Sequence, residues 1–86
     1  MKVAFLSQAF EQYVQWQRLN RPVTDKINRL IEECRRHPFA GTGKPEPLKG
    51  DYSGWWSRRI DREHRLVYRV EGDTLIIAQC RYHYGT

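Results

Sequence analysis

Eighty-six residues, 40% hydrophobic and 13% aromatic, describe one folded domain over 1–86 rather than a disordered tail, with room for a single small core. The net charge of +5 favours polyanionic partners, and eleven of the fifteen basic residues are arginine, whose fork pairs with phosphate oxygens and stacks on bases. The opening Met1-Lys2-Val3-Ala4-Phe5-Leu6 is too short an apolar run for a secretory signal, and no run approaches the ~18 residues of a membrane span, so a cytoplasmic protein without a membrane partner is expected.

In chain order, Val3 to Leu6 reads as a short buried strand. Ser7 is placed to cap a first helix, because its hydroxyl can accept from an otherwise orphaned N–H. Phe10, Tyr13, Val14 and Gln17 recur at helical spacing, flanked by Trp16, and are expected to face the core. That helix should fail near Asn20-Arg21, since Arg21 precedes a proline. Pro22 suits the first turn of a second helix. Ile27, Leu30, Ile31 and Cys34 then form an i, i+3, i+4, i+7 stripe, and Pro38 closes the element. Cys34 and Cys80 show neither metal-ligand nor redox spacing and read as buried, reduced thiols.

Residues 39–54 form a loop, with four glycines, two prolines and no periodicity. Three β-like runs follow: Trp55 to Asp61, Arg65 to Val70 and Thr74 to Tyr82, the last two joined by the turn Glu71-Gly72-Asp73. The order is β-α-α-β-β-β, an α+β fold in which a helical hairpin covers a mainly antiparallel sheet. Alternation with period two puts Leu66, Tyr68 and Val70 on one face, with Ile76, Ala78 and Cys80. On that pattern Arg59, Arg65, Arg81 and His83 share the open face, Leu75 and Ile77 fall there too, and the glycine-rich loop covers those two.

Four side chains carry chemistry. Glu46 lies between Pro45 and Pro47, which fix their own φ and bias the residues before them to extended angles, so its carboxylate has a stiff mounting suited to a general base. His83 can donate a proton near neutrality. Arg59 and Arg65 on one face could hold the non-bridging oxygens of a phosphate. Each residue taken singly is an ordinary surface group, and only the combination points to cleavage of RNA. Gly41-Thr42-Gly43-Lys44 is not a phosphate-binding P-loop, because position 38 is proline and Pro45 replaces the required hydroxyl. The spacing of His37, His64 and His83 suits no zinc site, and no cofactor is implied.

The segments Pro38-Phe39, Gly43-Lys44-Pro45-Glu46-Pro47-Leu48-Lys49, Ser53-Gly54-Trp55-Trp56-Ser57-Arg58-Arg59-Ile60, Glu63-His64-Arg65-Leu66-Val67-Tyr68 and Cys80-Arg81-Tyr82-His83-Tyr84 together resemble the YoeB/Txe family of bacterial toxins, within the RelE-like group. The resemblance runs nearly end to end. It implies a RelE-like fold and a metal-independent mRNA interferase that cuts message in the ribosomal A site. It also implies a cognate antitoxin of the YefM/Axe type, operator DNA contacted only through the antitoxin complex, and a homodimer. By the same resemblance Glu46 is the general base, His83 the general acid and Arg65 the phosphate-stabilising catalytic arginine. Lys49 and Arg59 support phosphate binding, and Tyr84 positions the substrate; Arg81, placed beside Arg59 and Arg65 by the strand alternation alone, is expected to join the phosphate-binding set. Members of the family often stop at the position of Tyr84, whereas Gly85-Thr86 follow here. Two rival readings stand beside the nuclease: an RNA- or ribosome-binding module that does not cut, and a co-repressor acting with its antitoxin.

Overall fold

The structure is a computed structural model that describes residues 1–83. Strand β1 (Lys2–Phe5) leads into helices α1 (Ser7–Leu19) and α2 (Arg21–Arg36). Strands β2 (Glu46–Pro47), β3 (Trp56–Arg59), β4 (Arg65–Glu71) and β5 (Thr74–Gln79) follow, with a 3-10 turn at Gly50–Tyr52. The sheet order is β1-β5-β4-β3-β2. Among the described residues only β1 and β5 run parallel, and the helical hairpin between β1 and the later strands makes that long crossover possible.

The break between the helices is set by Asn20. Its extended backbone ends α1, and its side-chain oxygen accepts the Val23 N–H at 3.2 Å, capping α2, with Pro22 in the first turn. Ser7 is not a cap: α1 begins at Ser7 with Leu6 in the cap position and no side-chain cap bond.

The α2 stripe packs as expected, with Ile27, Leu30, Ile31 and Cys34 buried against Leu66 and Tyr68 of β4 and Leu75 and Ile77 of β5. Helix α1 departs from expectation. It buries Ala9, Gln12 and Trp16, while Phe10 and Val14 are 54% and 40% exposed. Two polar atoms decide that orientation. Gln12 Oε1 accepts the Cys80 N–H at 2.8 Å, and Trp16 Nε1–H donates to the Cys80 carbonyl at 2.9 Å. A buried peptide group demands such partners, so a stripe drawn through apolar residues alone turned the helix the wrong way. Strand β1 is an exposed edge rather than a buried strand, with Lys2, Val3 and Ala4 all open to solvent.

The faces of β5 also differ from simple alternation. Val67 pairs with Gln79 but Tyr68 pairs with Ile77, leaving Ala78 as an extra residue. This bulge shifts the pattern by one position. Leu75, Ile77 and Cys80 therefore all face the core, each fully buried, and the glycine-rich loop is not needed to cover them.

Candidate active site

Cross-strand partners point to the same side of a sheet, so the register locates each side chain. Trp56 pairs with Tyr68 and Arg58 with Leu66, all on the helix-covered side. Ser57 pairs with Val67 and Arg59 with Arg65, all on the opposite side. Glu46 pairs with Ser57. A continuous row, Glu46–Ser57–Val67–Gln79, thus crosses four strands on the face away from the helices, and the Arg59–Arg65 pair forms the next row.

The short strand β2, which lies within the stretch expected to be loop, puts Glu46 in this row. Its approach depends on Gly43, whose φ of +86° favours glycine and whose carbonyl accepts the Arg59 N–H at 2.7 Å. A Cβ at Gly43 would lie 3.0 Å from the Arg59 carbonyl oxygen. Glu46 and Lys49 are exposed and line one shallow cavity of about 310 Å³ with Pro47 and Leu48.

Arg59 and Arg65 stand directly opposite each other, an arrangement of like charges that destabilises a sheet unless an anion or other acceptors lie between or beside them. Arg65 Nη1 donates to the carbonyls of Asp61, His64 and Arg62 at 2.9, 3.1 and 3.4 Å, which holds one terminal nitrogen of the guanidinium on the β3–β4 turn. Beyond β5 the chain turns back on β4. The Arg65 N–H donates to the Tyr82 carbonyl at 3.0 Å, and Gln79 Nε2 donates to the carbonyls of Arg81 and Tyr82 at 2.9 and 3.1 Å. His83 follows Tyr82 directly and is exposed. Arg65 and the segment carrying His83 are therefore tied by backbone, and Gln79 ends the row that Glu46 begins.

Arg81 does not join them. Its guanidinium donates to Gln15 Oε1 at 2.6 Å and lies over Trp16 and Tyr82, 5.2 and 5.0 Å from the ring centroids. The bulge at Ala78 and the turn after Gln79 carry it towards α1, correcting the expectation that it shares the face of Arg59 and Arg65. Tyr84 lies outside the described residues.

Arg58 is a residue whose part in the site was not foreseen. It is fully buried, and its guanidinium donates to the Tyr68 hydroxyl, to the Glu33 carboxylate at 3.1 Å and to the carbonyls of His37, Ala40 and Thr42. It thereby pins the loop that runs on through Gly43 to Glu46. The Thr42 N–H, bonded to Glu33 Oε1 at 2.6 Å, is the main cause holding the Glu33 carboxyl below the ordinary carboxylate range, with Arg58 adding to it. The signal in the sequence was an arginine at a core-facing strand position, since such a charge must be paired.

A strand and helical hairpin followed by a mostly antiparallel sheet, with the hairpin over one face, is the RelE-like class of small α+β fold. Residues 5–84 match the model of the YoeB-like toxins of bacterial type II toxin–antitoxin systems, and the chain belongs to that family. It is 58% identical over 84 residues to Toxin YoeB of Streptomyces coelicolor, covering 98% of this chain and all of that one. Among solved structures, a YoeB/ParE toxin from Agrobacterium tumefaciens superposes with a TM-score of 0.95 at 52% identity, covering 98% of this chain and 100% of that chain. A YoeB dimer and a YoeB–YefM complex, both from Staphylococcus aureus, match with TM-scores of 0.91 and 0.90 and identities of 44% and 45%, each covering 98% of both chains.

Proposed function

We propose that this chain is a ribosome-dependent endoribonuclease that cuts mRNA by general acid–base transesterification, without a metal. The observation that carries the reading is the shared face of Glu46, Arg59 and Arg65, with Arg65 bound through its own N–H to the peptide preceding His83. Glu46 accepts the proton of the ribose 2′-OH, and the 2′ oxygen attacks the adjacent phosphorus. A new O2′–P bond forms as the P–O5′ bond breaks. Arg65, with Arg59 and Lys49 in support, holds the charge that builds on the non-bridging oxygens. His83 protonates the leaving O5′. The products are a 2′,3′-cyclic phosphate, which water opens to a 3′-phosphate, and a 5′-OH.

The shallow relief around Glu46 supports the need for a ribosome. Such a surface holds RNA weakly, whereas proximity and orientation contribute several kcal/mol to a reaction of this kind, roughly 7–11 at most. The A site supplies that orientation. The YoeB–YefM complex of a relative supports a YefM-type antitoxin as partner, through which alone operator DNA is contacted, and the relative's dimer supports a homodimer here. The exposed apolar residues Leu6, Phe10 and Val14 suit burial by a protein partner. The place of action is the cytoplasm. No helix among the described residues is long and apolar enough to cross a membrane.

Primer extension on message from cells producing the protein tests this reading. Breaks confined to translated frames, and absent with Glu46→Ala or His83→Ala, are expected. Growth arrest without any such breaks would favour the binding module.

A further inference from the structure

His64 has no part in the reaction just described, yet it is only 8% exposed and touches the segment that carries His83. Its ring stands edge-on to Trp16, with centroids 4.8 Å apart, and to Tyr82, at 5.9 Å. Its Nδ1 accepts the Tyr82 N–H at 2.7 Å. An N–H aimed at a ring nitrogen requires a lone pair there, so the proton of the neutral ring sits on Nε2, 3.7 Å from Glu63 Oε1. The next residue binds the other side of the same amino acid, the Arg65 N–H donating to the Tyr82 carbonyl at 3.0 Å.

Tyr82 needs that double hold. Its φ is +66°, a left-handed conformation that a bulky residue keeps only where its surroundings over-determine it. Edge-on packing would be met by any flat ring, whereas the bond to the Tyr82 N–H needs an acceptor at one atom. We propose that His64 is a positioning residue, whose Nδ1 holds Tyr82 in this turn and so sets His83 beside Arg65. The proposal rests on the reading of His83 as the general acid.

The test measures single-turnover cleavage of message on programmed ribosomes, together with ribosome affinity, using the full chain. His64→Leu removes the acceptor, and misplacement of a reacting group by about 1 Å costs on the order of 10²-fold. The expected result is a loss of that size in the rate at saturation, with ribosome affinity unchanged. His64→Asn, whose side-chain oxygen falls near the Nδ1 position, should recover most of it. Wild-type rates for His64→Leu, or a His64→Asn protein no faster than His64→Leu, would overturn the proposal. Should His64→Leu fail to fold, His64→Asn is compared with His64→Gln, whose amide falls near Nε2 and offers Tyr82 no acceptor. Equal rates for that pair overturn it. His83→Ala run alongside separates the two readings. If it cuts at the wild-type rate, the acid assignment fails and the latch with it, whereas a slow His83→Ala beside a fast His64→Leu sinks the latch alone.

Discussion

The Arg65 N–H donates to the Tyr82 carbonyl at 3.0 Å, so a residue near the start of one strand holds the peptide that leads into His83. The same residue extends its guanidinium from the face that carries Glu46. Backbone and side chain of Arg65 thus serve different purposes, and substitution separates them. Arg65→Ala keeps the N–H and loses the guanidinium. Its cleavage rate on programmed ribosomes should fall by about 10²–10³-fold, the cost of removing one donor to transition-state charge. Fraying of the Asp61–His64 turn should be the only structural change, visible as faster amide exchange there.

Glu46→Gln should cost about 10²–10⁴-fold in rate, the range for loss of a general base. Because Glu46 is exposed, its melting temperature should stay within a degree or two of wild type. A rate within threefold of wild type would remove Glu46 from the reaction.

Arg58 is the opposite case, a charge whose loss is expected to damage the fold. Arg58→Leu leaves Glu33, the Tyr68 hydroxyl and three loop carbonyls without their common donor. Breaking a buried ion pair from one side costs about 3–5 kcal/mol, which denaturant unfolding would read directly. Arg58→Lys should not restore it, since a point charge cannot reach that set of acceptors.

The same cluster gives an acid limb to stability. The Glu33 carboxyl titrates below its ordinary value in the folded state, chiefly because of the Thr42 N–H. Its stabilising contribution is therefore complete above the unfolded-state pKa and disappears as pH falls through the lower, folded value. Unfolding free energy measured against pH should fall less steeply on the acid side for Glu33→Gln than for wild type.

Burial pushes the Cys34 thiol up to about 11 and the Cys80 thiol to about 12. Since the thiolate is the reactive form, neither should be alkylated by iodoacetamide at neutral pH until the chain unfolds. Mass spectrometry of native and denatured protein checks this, and rapid labelling of the native form would contradict the buried placement.

Much of this architecture can be read along the chain where one local rule decides. The α2 stripe, the hairpin break before Pro22 and the turn at Gly72 are of that kind, and so is the common face of Arg59 and Arg65. What could not be read depended on contacts from far away. The orientation of α1 follows from Gln12 and Trp16 serving the peptide of Cys80, sixty-odd residues on. The faces of β5 depend on one extra residue at Ala78, and two-residue β2 exists only because β3 offers it an edge. Arg81 leaves the open face for the same reason, and the bond between His64 and Tyr82, eighteen residues apart, has no local signature.

A single substitution in the message tests the convergence of these groups most directly. With 2′-deoxyribose at the scissile nucleotide of message on programmed ribosomes, cleavage should stop for the substituted message and continue for ordinary RNA. Continued cutting of the deoxy message would contradict attack by the 2′ oxygen under Glu46, Arg65 and His83.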